Sequence, residues 1–385
     1  MNKEPERAPN FFDLEKRIFE ITDELETDVI NFVEPTNSVI QRKRFFQALK
    51  KGEPVNPRYT YLPKNPIFSH FTITPEYIKL KKELEGIEIE NRGIGKLLNK
   101  KKKESIARMA FVRSIGSNEF AEKSKKFYGT PEKKTVALAY EILSSKKSIQ
   151  EKKTIISSKA AELLQKELDK RKLGWGVVLD ENISPNAVVL SKSNILKIRD
   201  LTVFSTNDIK RLTIHEIETH IYRHMNGLEQ QFRLFFEGPD IEWLKTEEGL
   251  AVTNESIFGL IEDEQLRTYA GRTVAVDFAR RNSFIQTFKY LCEFFPEEKA
   301  YRITQRAKRG MNDTSQHGAF TKDFFYFQGA LEVQEYLGQG GELKDLYYGK
   351  ISLDDVPELA AIPKLAKPKF MPKYPEGYAK KAKFI

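Results

Sequence analysis

The stretch RLTIHEIETHIYRHMNG, Arg211–Gly227, holds most of the histidine in this chain. Among 385 residues there are only 5 histidines, and His215, His220 and His224 all fall here. Glu216 follows the first of them directly. Imidazole nitrogens and carboxylate oxygens on one short helix are ligands that a zinc site in a protein uses. The stretch therefore predicts a helix that carries a metal site.

The sequence just before this helix has a different texture. Three short runs rich in β-branched residues, WGVVLD, NAVVLS and NILKIRD, are separated by turn residues between positions 175 and 200. They predict a small antiparallel sheet directly before the histidines. Ser205 and Asn207 then stand where a helix N-cap is expected, and Gly227 is expected to end the helix.

Helical spacing of apolar residues marks most of the remaining chain. The fold class predicted is α+β, predominantly helical, with one small sheet. The change of texture near Trp175 and the Pro- and Lys-rich tail divide the chain into three expected regions. These are an N-terminal helical region packed on the catalytic part (1–173), a catalytic region with the sheet and the histidine helix (174–350), and a C-terminal extension (351–385).

The charge of the chain is basic, with 64 Lys and Arg against 55 Asp and Glu and a formal net charge of +9. Much of the excess lies in local runs, such as KKKK at 100–103 and the lysines of the tail. Solvated basic patches explain such runs, and attraction to an acidic protein partner or substrate would follow from the same charge. We expect no nucleic-acid partner, because no zinc-finger or RNA-binding motif is present and the aromatics do not interleave with the basic runs.

The single cysteine and the N-terminus bear on the cellular compartment. Cys292 lies in the apolar run YLCEFF, so a buried, inert thiol is expected, and one cysteine excludes an internal disulfide framework. The N-terminal residues MNKEPERAPN have no apolar signal core, and no run approaches the ~20 apolar residues of a membrane span. These features predict a cytoplasmic protein with no membrane partner.

The spacing of the histidines raises a geometric problem. His215 and His220 are five residues apart, so a regular α-helix would splay them by about 140°. A π-bulge between them could bring both imidazoles to one ion, and such bulges favour functional sites. Alternatively the pair is His220 and His224, which have the regular spacing of four. Glu216 favours the first pair, because a carboxylate beside the first ligand can serve as a general base, whereas Ile221 holds that place in the second.

A third ligand is expected on a following helix. The segment TEEGLAVTNE offers Glu247, Glu248 and Glu255, and composition does not choose among them. Its small residues, GLA, are what close packing against another helix requires.

Several segments together resemble a metallopeptidase family named for its QEGLA motif, which includes the microtubule-associated tubulin tyrosine carboxypeptidases. HEIETH (an HExxxH motif) is followed about thirty residues later by EEGLA. PTNSVIQRKRFFQAL with NPRYTYLP, KFYGTP, LKIRDL and AKRG with HGAFTKDFFYFQG resemble family segments in the same order. The resemblance runs from about residue 28 to 338, and the chain looks most like the compact bacterial members.

The resemblance implies a zinc-dependent hydrolase, a metalloprotease of the carboxypeptidase type with one Zn²⁺ per chain. His215 and His220 would be zinc ligands, with Glu248 as the third, and Glu247 would stand where the family motif often has glutamine. A zinc-bound water, activated by Glu216, would attack the C-terminal peptide bond of a peptide or protein, which the basic charge suggests is acidic.

The same resemblance places His224 outside the ligand set, in a packing role. It also favours the five-residue pair, so a distortion of the helix between His215 and His220 is expected.

The remaining chemistry needs donors and a cation. His317 in HGAF and Tyr326 in KDFFYF are candidates to stabilise the oxyanion. A carboxypeptidase must also bind a terminal carboxylate through charge-assisted bonds. The strand NILKIRD could hold an extended peptide by edge addition. The cations that flank the family-like segments are the candidates for carboxylate binding: Lys322, Arg309, Arg267 and Arg272.

A second hypothesis is a non-catalytic, metal-binding regulatory or protein-interaction module on the same fold. The presence of a base beside the ligands argues against it, because a pseudoenzyme has no need of Glu216.

Overall fold

Helices form most of the chain, as the spacing of its apolar residues predicts. The structure is a computed structural model that describes residues 10–24, 29–61, 75–145, 152–181, 183 and 185–382. The N-terminal residues 1–9, considered above for a signal sequence, lie outside it. The helices that precede the sheet are α1 (Phe11–Glu24), α2 (Val29–Val33), α3 (Ser38–Lys50), α4 (Pro75–Gly86), α5 (Ile94–Arg113), α6 (Phe120–Tyr128), α7 (Lys133–Ser144) and α8 (Ser157–Lys170).

The three predicted strands form one sheet, but its pairing is mixed. β2 (Gly176–Asp180), β3 (Ala187–Leu190) and β4 (Ile195–Arg199) lie in the order β2-β4-β3. The β3–β4 pair is antiparallel, whereas β2 and β4 run parallel. The expectation of a wholly antiparallel sheet was wrong because β4 buries Leu196 and Ile198 completely, and the most buried strand takes the centre, between β2 and β3.

A second, two-stranded sheet leads into the histidine helix. β1 (Ile155–Ile156) pairs with β5 (Val203–Phe204) in antiparallel register. Helix α9 (Thr206–Leu212) follows at once. Its N-cap is Ser205, which forms a capping box with Asp208, so this predicted cap is confirmed. Two bonds of 3.0 Å join the side chain of each residue to the backbone N–H of the other.

The histidine helix continues from α9 through a π segment (Thr213–Ile221) into α10 (Tyr222–Leu228). Gly227 was expected to end this helix, but it lies inside α10 and the helix ends at Leu228. A Cβ on Gly227 would lie 2.4 Å from the carbonyl oxygen of Phe235, so the glycine permits close packing against the next turn of chain.

The C-terminal half is again helical. Two of its helices, α12 (Glu242–Ile257) and α16 (Phe325–Gly338), pack together at Gly249 and Gly329, where a Cβ on Gly249 would lie 2.1 Å from the carbonyl carbon of Gly329. The close packing predicted for the GLA segment is therefore confirmed. The helices of this half are α11 (Leu234–Glu237), α12 (Glu242–Ile257), α13 (Asp263–Ala279), α14 (Phe284–Leu291), α15 (Glu297–Lys308), α16 (Phe325–Gly338) and α17 (Tyr378–Lys381).

The tail after residue 357 wraps onto the core. Phe370, Met371, Tyr374 and Tyr378 pack against the apolar cluster that α8, β4 and the histidine helix share. The boundaries predicted at residues 173 and 350 stay a prediction.

Two smaller expectations concern membranes and the thiol. In the described part of the chain, no helix has both the length and the apolar character that a membrane crossing requires. Cys292 is a free, half-buried thiol, and burial raises its pKa to about 11, as expected for an inert cysteine.

Candidate metal centre and active site

The π segment brings His215 and His220 onto one side of the helix. Their ring centroids lie 5.0 Å apart, with the ring planes at 76°. With i→i+5 bonding, residues five apart come into line, which a regular α-helix does not allow. The distortion predicted between these two histidines is therefore confirmed.

Glu248 of α12 faces both imidazoles. Its Oε2 lies 3.8 Å from Nε2 of His215 and 3.9 Å from Nε2 of His220. One potential ligand atom from each residue lies within 4.8 Å of the other two, and all three residues are buried. Of the three acids that the sequence offered, Glu248 is the one that joins the two histidines.

The other two acids of α12 bind the far side of the imidazoles. Glu255 Oε1 lies 2.7 Å from Nδ1 of His215, and Glu247 Oε1 lies 2.9 Å from Nδ1 of His220. Each carboxylate fixes a ring orientation and leaves Nε2 facing Glu248. From spacing alone, Glu247 and Glu255 were candidates for the third metal ligand, and their contacts with the Nδ1 atoms of the histidines were not predicted. Their separation of about two helical turns, which puts both on one face, was the available signal.

Buried cations balance these carboxylates. Arg211 Nη1 lies 3.0 Å from Glu255 Oε1, and Arg223 Nη1 lies 2.9 Å from Glu247 Oε2. Burial raises the pKa of Glu255, but Arg211 and His215 outweigh it, so the pKa lies below its ordinary value. The carboxylates are therefore held ionised inside the fold.

The surroundings of His215 favour positive charge. Burial lowers the pKa of His215, but the facing carboxylates of Glu248 and Glu255 outweigh burial and raise it to about 10. A site of this kind, with carboxylates on both sides of an imidazole, suits a cation.

Glu216 lies next to the cluster of His215, His220 and Glu248, the candidate metal ligands, which we call the metal group. It is buried, follows His215 on the π segment, and acts electrostatically on His215. Glu218, two residues later, pairs instead with Arg171. The acid predicted as general base is therefore the one that neighbours the metal group.

His224 packs apart from the group formed by His215, His220 and Glu248. Its ring meets Trp175 and Phe236 edge-on, each at 5.9 Å. Burial lowers its pKa to about 4, with a smaller contribution from Lys350. A neutral imidazole between two aromatic rings fits the packing role expected for it.

A family model described as "Microtubule-associated tyrosine carboxypeptidase" matches residues 43–384. The chain belongs to this family. A human relative named "Putative tyrosine carboxypeptidase MATCAP2" is 34% identical over 153 residues, which cover 38% of this chain and 29% of the relative.

A mouse relative, "Microtubule-associated tyrosine carboxypeptidase 1", is 25% identical over 344 residues, or 84% of this chain and 60% of the relative. The rat protein of the same name is 29% identical over 189 residues, 48% of this chain and 40% of the relative. The chain thus spans between about a third and three fifths of the family members that it matches.

The two candidate oxyanion donors of this family member lie in different surroundings. Tyr326 of α16 stacks on Tyr269 at 5.6 Å, and Lys322 Nζ lies 5.6 Å from the centre of its ring. Burial raises the pKa of Tyr326 well above its ordinary value, and the nearby carboxylate of Glu248 adds to this rise. His317 is exposed, and no contact within the described ranges joins it to the metal group.

Three of the four candidate cations already have partners. Arg267 donates to the carbonyl oxygens at the end of α7, and Arg309 Nη2 lies 3.6 Å from Asp323 Oδ1. Lys322 Nζ lies 3.5 Å from Glu248 Oε1, the oxygen that faces away from the histidines.

Arg272 differs from these three. Its guanidinium carbon lies 4.8 Å from the ring centre of Tyr326 and 5.7 Å from that of Tyr269. Its Nε is buried without a hydrogen-bond partner, and no carboxylate of the residues that the structure describes lies in ion-pair range of it. Arg272 is therefore a cation beside Tyr326 with N–H groups that are available to donate hydrogen bonds to a ligand.

Edge addition to NILKIRD is excluded. This segment forms β4, the central strand, and both of its edges are paired with β2 and β3. β3 is an edge strand of this sheet and contacts the π segment. Its outer edge is therefore the strand edge nearest the histidines at which an extended peptide can add.

Proposed function

We propose that this chain is a zinc-dependent carboxypeptidase that hydrolyses the C-terminal peptide bond of a peptide or protein. The observation that carries the proposal is the group of His215, His220 and Glu248, whose ligand atoms lie within 4.8 Å of one another beside the buried Glu216. The family to which the chain belongs, described by its carboxypeptidase activity, supports the reaction class.

The donor set fits zinc. Two imidazoles and one carboxylate are the protein ligands of many catalytic zinc sites. Ligands at about 2.0–2.2 Å in tetrahedral geometry lie about 3.3–3.6 Å apart. The observed distances of 3.8 and 3.9 Å from Glu248 to the histidines need only a small contraction to reach that range. Both rings also have the carboxylate partners that zinc-binding histidines usually have.

A zinc ion held by His215, His220 and Glu248 would supply Lewis acidity toward the scissile carbonyl and would make the attacking water more acidic. The residues of the chain do the rest. Glu216 accepts the proton of the water and returns it to the leaving amine. The Tyr326 hydroxyl donates to the developing oxyanion, whereas the exposed His317 has no such part.

Arg272 binds the terminal carboxylate of the substrate. Among the described residues it is the one of the four candidate cations with neither a hydrogen bond nor an ion pair, and it lies against Tyr326. A guanidinium matches a carboxylate through two parallel bonds. Lys322 instead orients Glu248 through the oxygen that the histidines leave free.

A protein C-terminus rich in acidic residues is the substrate class that the chain's own charge favours. The net charge of +9 steers acidic chains toward the protein. Relatives are named for tyrosine carboxypeptidase activity and for microtubules, and a C-terminal tyrosine is therefore the first residue to try.

The test combines metal content with product analysis. Purified protein and the variants His220→Ala and Glu216→Gln are measured by elemental mass spectrometry, then incubated with acidic peptides that end in different residues. We expect about one zinc per chain, lost in His220→Ala and kept in Glu216→Gln, with release of the last residue by the unmodified protein only. Zinc binding without hydrolysis of any peptide would favour the non-catalytic module, and no zinc after loading would overturn the proposal.

A further inference from the structure

The π segment needs support, because its backbone departs from the regular α-helix that its neighbours α9 and α10 adopt. Part of the support is internal: the hydroxyl of Thr219 donates to the carbonyl oxygen of Ile214, five residues earlier, at 2.9 Å. A second bond comes from outside the helix, where the hydroxyl of Tyr347 donates to the carbonyl oxygen of Glu218 at 3.0 Å.

Asn254 of α12 joins these two bonds. Its Nδ2 donates to Thr219 Oγ1 and to Tyr347 Oη, both at 2.9 Å. Tyr374, in the C-terminal tail, donates to Asn254 Oδ1 at 2.9 Å. The same hydroxyl also lies 3.2 Å from Tyr347 Oη, so every side-chain donor of this network has an acceptor.

The network lies at the two places that decide the positions of the histidines. Ile214 precedes His215, and Thr219 precedes His220. Thr219, Asn254 and Tyr347 have no exposed surface, so water cannot replace a missing partner. Without the π form, the two imidazoles would lie about 140° apart around the helix.

We infer that Tyr347, Asn254 and Tyr374 are positioning residues, whose hydrogen bonds hold the π segment in the form that brings His215 and His220 together. None of them touches the metal group itself. The inference rests on the proposed function for the metal, but the conformation of the π segment can be tested without it.

The network also connects the C-terminal part of the chain to the π segment. Tyr347 ends the 3₁₀ turn Leu343–Tyr347, and Tyr374 belongs to the tail that was expected to be an extension. Arg223 of α10 adds two further bonds to this part, from Nε to the carbonyl oxygen of Leu346 at 2.8 Å and from Nη2 to that of Ile351 at 2.6 Å. Segments more than 100 residues away in sequence thus fix the geometry of the histidine helix.

The experiment compares two tyrosine-to-phenylalanine variants of the full chain. Tyr347→Phe removes the donor to Glu218, whereas Tyr336→Phe removes a similar bond, 3.0 Å to Asp345 Oδ2, in the same 3₁₀ turn but away from the π segment. Thr219→Val, which removes the internal bond with little change of shape, serves as a second variant should Tyr347→Phe fold poorly.

Two readouts are taken. Zn²⁺ affinity is measured by competition with a chelator, and hydrogen exchange of the peptide that covers residues 213–222 is measured by mass spectrometry on metal-free protein. We expect Tyr347→Phe and Thr219→Val to bind zinc about tenfold more weakly and to exchange about tenfold faster in this peptide. Tyr336→Phe should match the unmodified protein in both.

Several outcomes overturn the inference. Unchanged exchange and zinc affinity in Tyr347→Phe and Thr219→Val would do so, and so would equal losses in Tyr336→Phe, which would show a general loss of stability. If the unmodified protein bound no zinc, the proposed function would fail, while faster exchange in the first two variants alone would still uphold the control of the π segment.

Discussion

The imidazole of His220 and the carboxylate of Glu247 are joined by a contact of 2.9 Å between Nδ1 and Oε1. The second oxygen of Glu247 lies 2.9 Å from Nη1 of Arg223. One buried carboxylate therefore serves two purposes, since it orients a candidate metal ligand and neutralises a fully buried guanidinium.

Replacement of Glu247 should separate these two purposes. The amide oxygen of Gln accepts a hydrogen bond from His220, so Glu247→Gln should keep zinc affinity within about tenfold of that of the unmodified protein. The neutral amide does not neutralise Arg223, so the free energy of unfolding should fall by about 1–3 kcal/mol. Glu247→Ala loses both contacts, and zinc affinity should fall about 10–100-fold. Chelator competition and urea unfolding measure the two effects. Equal zinc affinity of Glu247→Ala and the unmodified protein would refute the orienting role.

The close contact of α12 and α16 gives a prediction for Gly249. An added Cβ would lie 2.1 Å from backbone of Gly329, which cannot move aside as a side chain can. Gly249→Ala should destabilise the protein by about 1–3 kcal/mol or more. Because Glu248 is the adjacent residue, zinc affinity should fall as well. Gly338→Ala is the matched control, since a Cβ there meets nothing within 4 Å. A thermal unfolding midpoint equal for both variants would contradict the packing argument.

The signals that the sequence offers for the candidate site are local. Glu216 beside His215 and the family resemblance favoured the five-residue pair and so predicted the distorted helix, and the GLA segment predicted close packing on α12. The choice of Glu248 needed the family resemblance, since spacing alone did not distinguish it from Glu247 and Glu255.

What the sequence could not predict depends on contacts between distant segments. Tyr374 lies 120 residues after Asn254, and no pattern of spacing pairs them. The order β2-β4-β3 likewise follows from the burial of β4, which strand composition alone did not reveal. His317 was a candidate oxyanion donor because it lies in a family-like segment, but its side chain is exposed in the structure.

The role of Arg272 can be tested with a pair of peptides that differ only in a free or an amidated C-terminus. If Arg272 binds the terminal carboxylate, Arg272→Gln should lower kcat/KM for the free peptide about 10–100-fold, the loss expected for charge-assisted bonds. Any slow cleavage of the amidated peptide should not change. Arg281→Gln is the control, because that exposed arginine pairs with Asp277 at 2.7 Å near the end of the same helix. An equal loss on both peptides would assign Arg272 a structural role.

His224 predicts how stability depends on pH. Its pKa in the folded protein is about 4, mainly because burial among aromatic rings disfavours the charged form. The charge of Lys350 lowers this pKa further, whereas Glu247 and Glu237 raise it by less. An unfolded histidine has a pKa near 6.5. The neutral imidazole therefore stabilises the fold fully above about pH 6.5, and this contribution is lost as the pH falls toward 4, because the unfolded chain binds the proton first.

As the pH falls from 7 to 5, the titration of this histidine should lower the free energy of unfolding by about 2 kcal/mol. His224→Leu removes the titrating group, so the difference between the two pH values should shrink by that amount in urea unfolding of metal-free protein. The control is His317→Gln, which removes an exposed histidine far from the aromatic rings around His224 in the sequence. If His224→Leu and the unmodified protein lost stability equally between pH 7 and pH 5, the imidazole of His224 would not be held neutral by its burial.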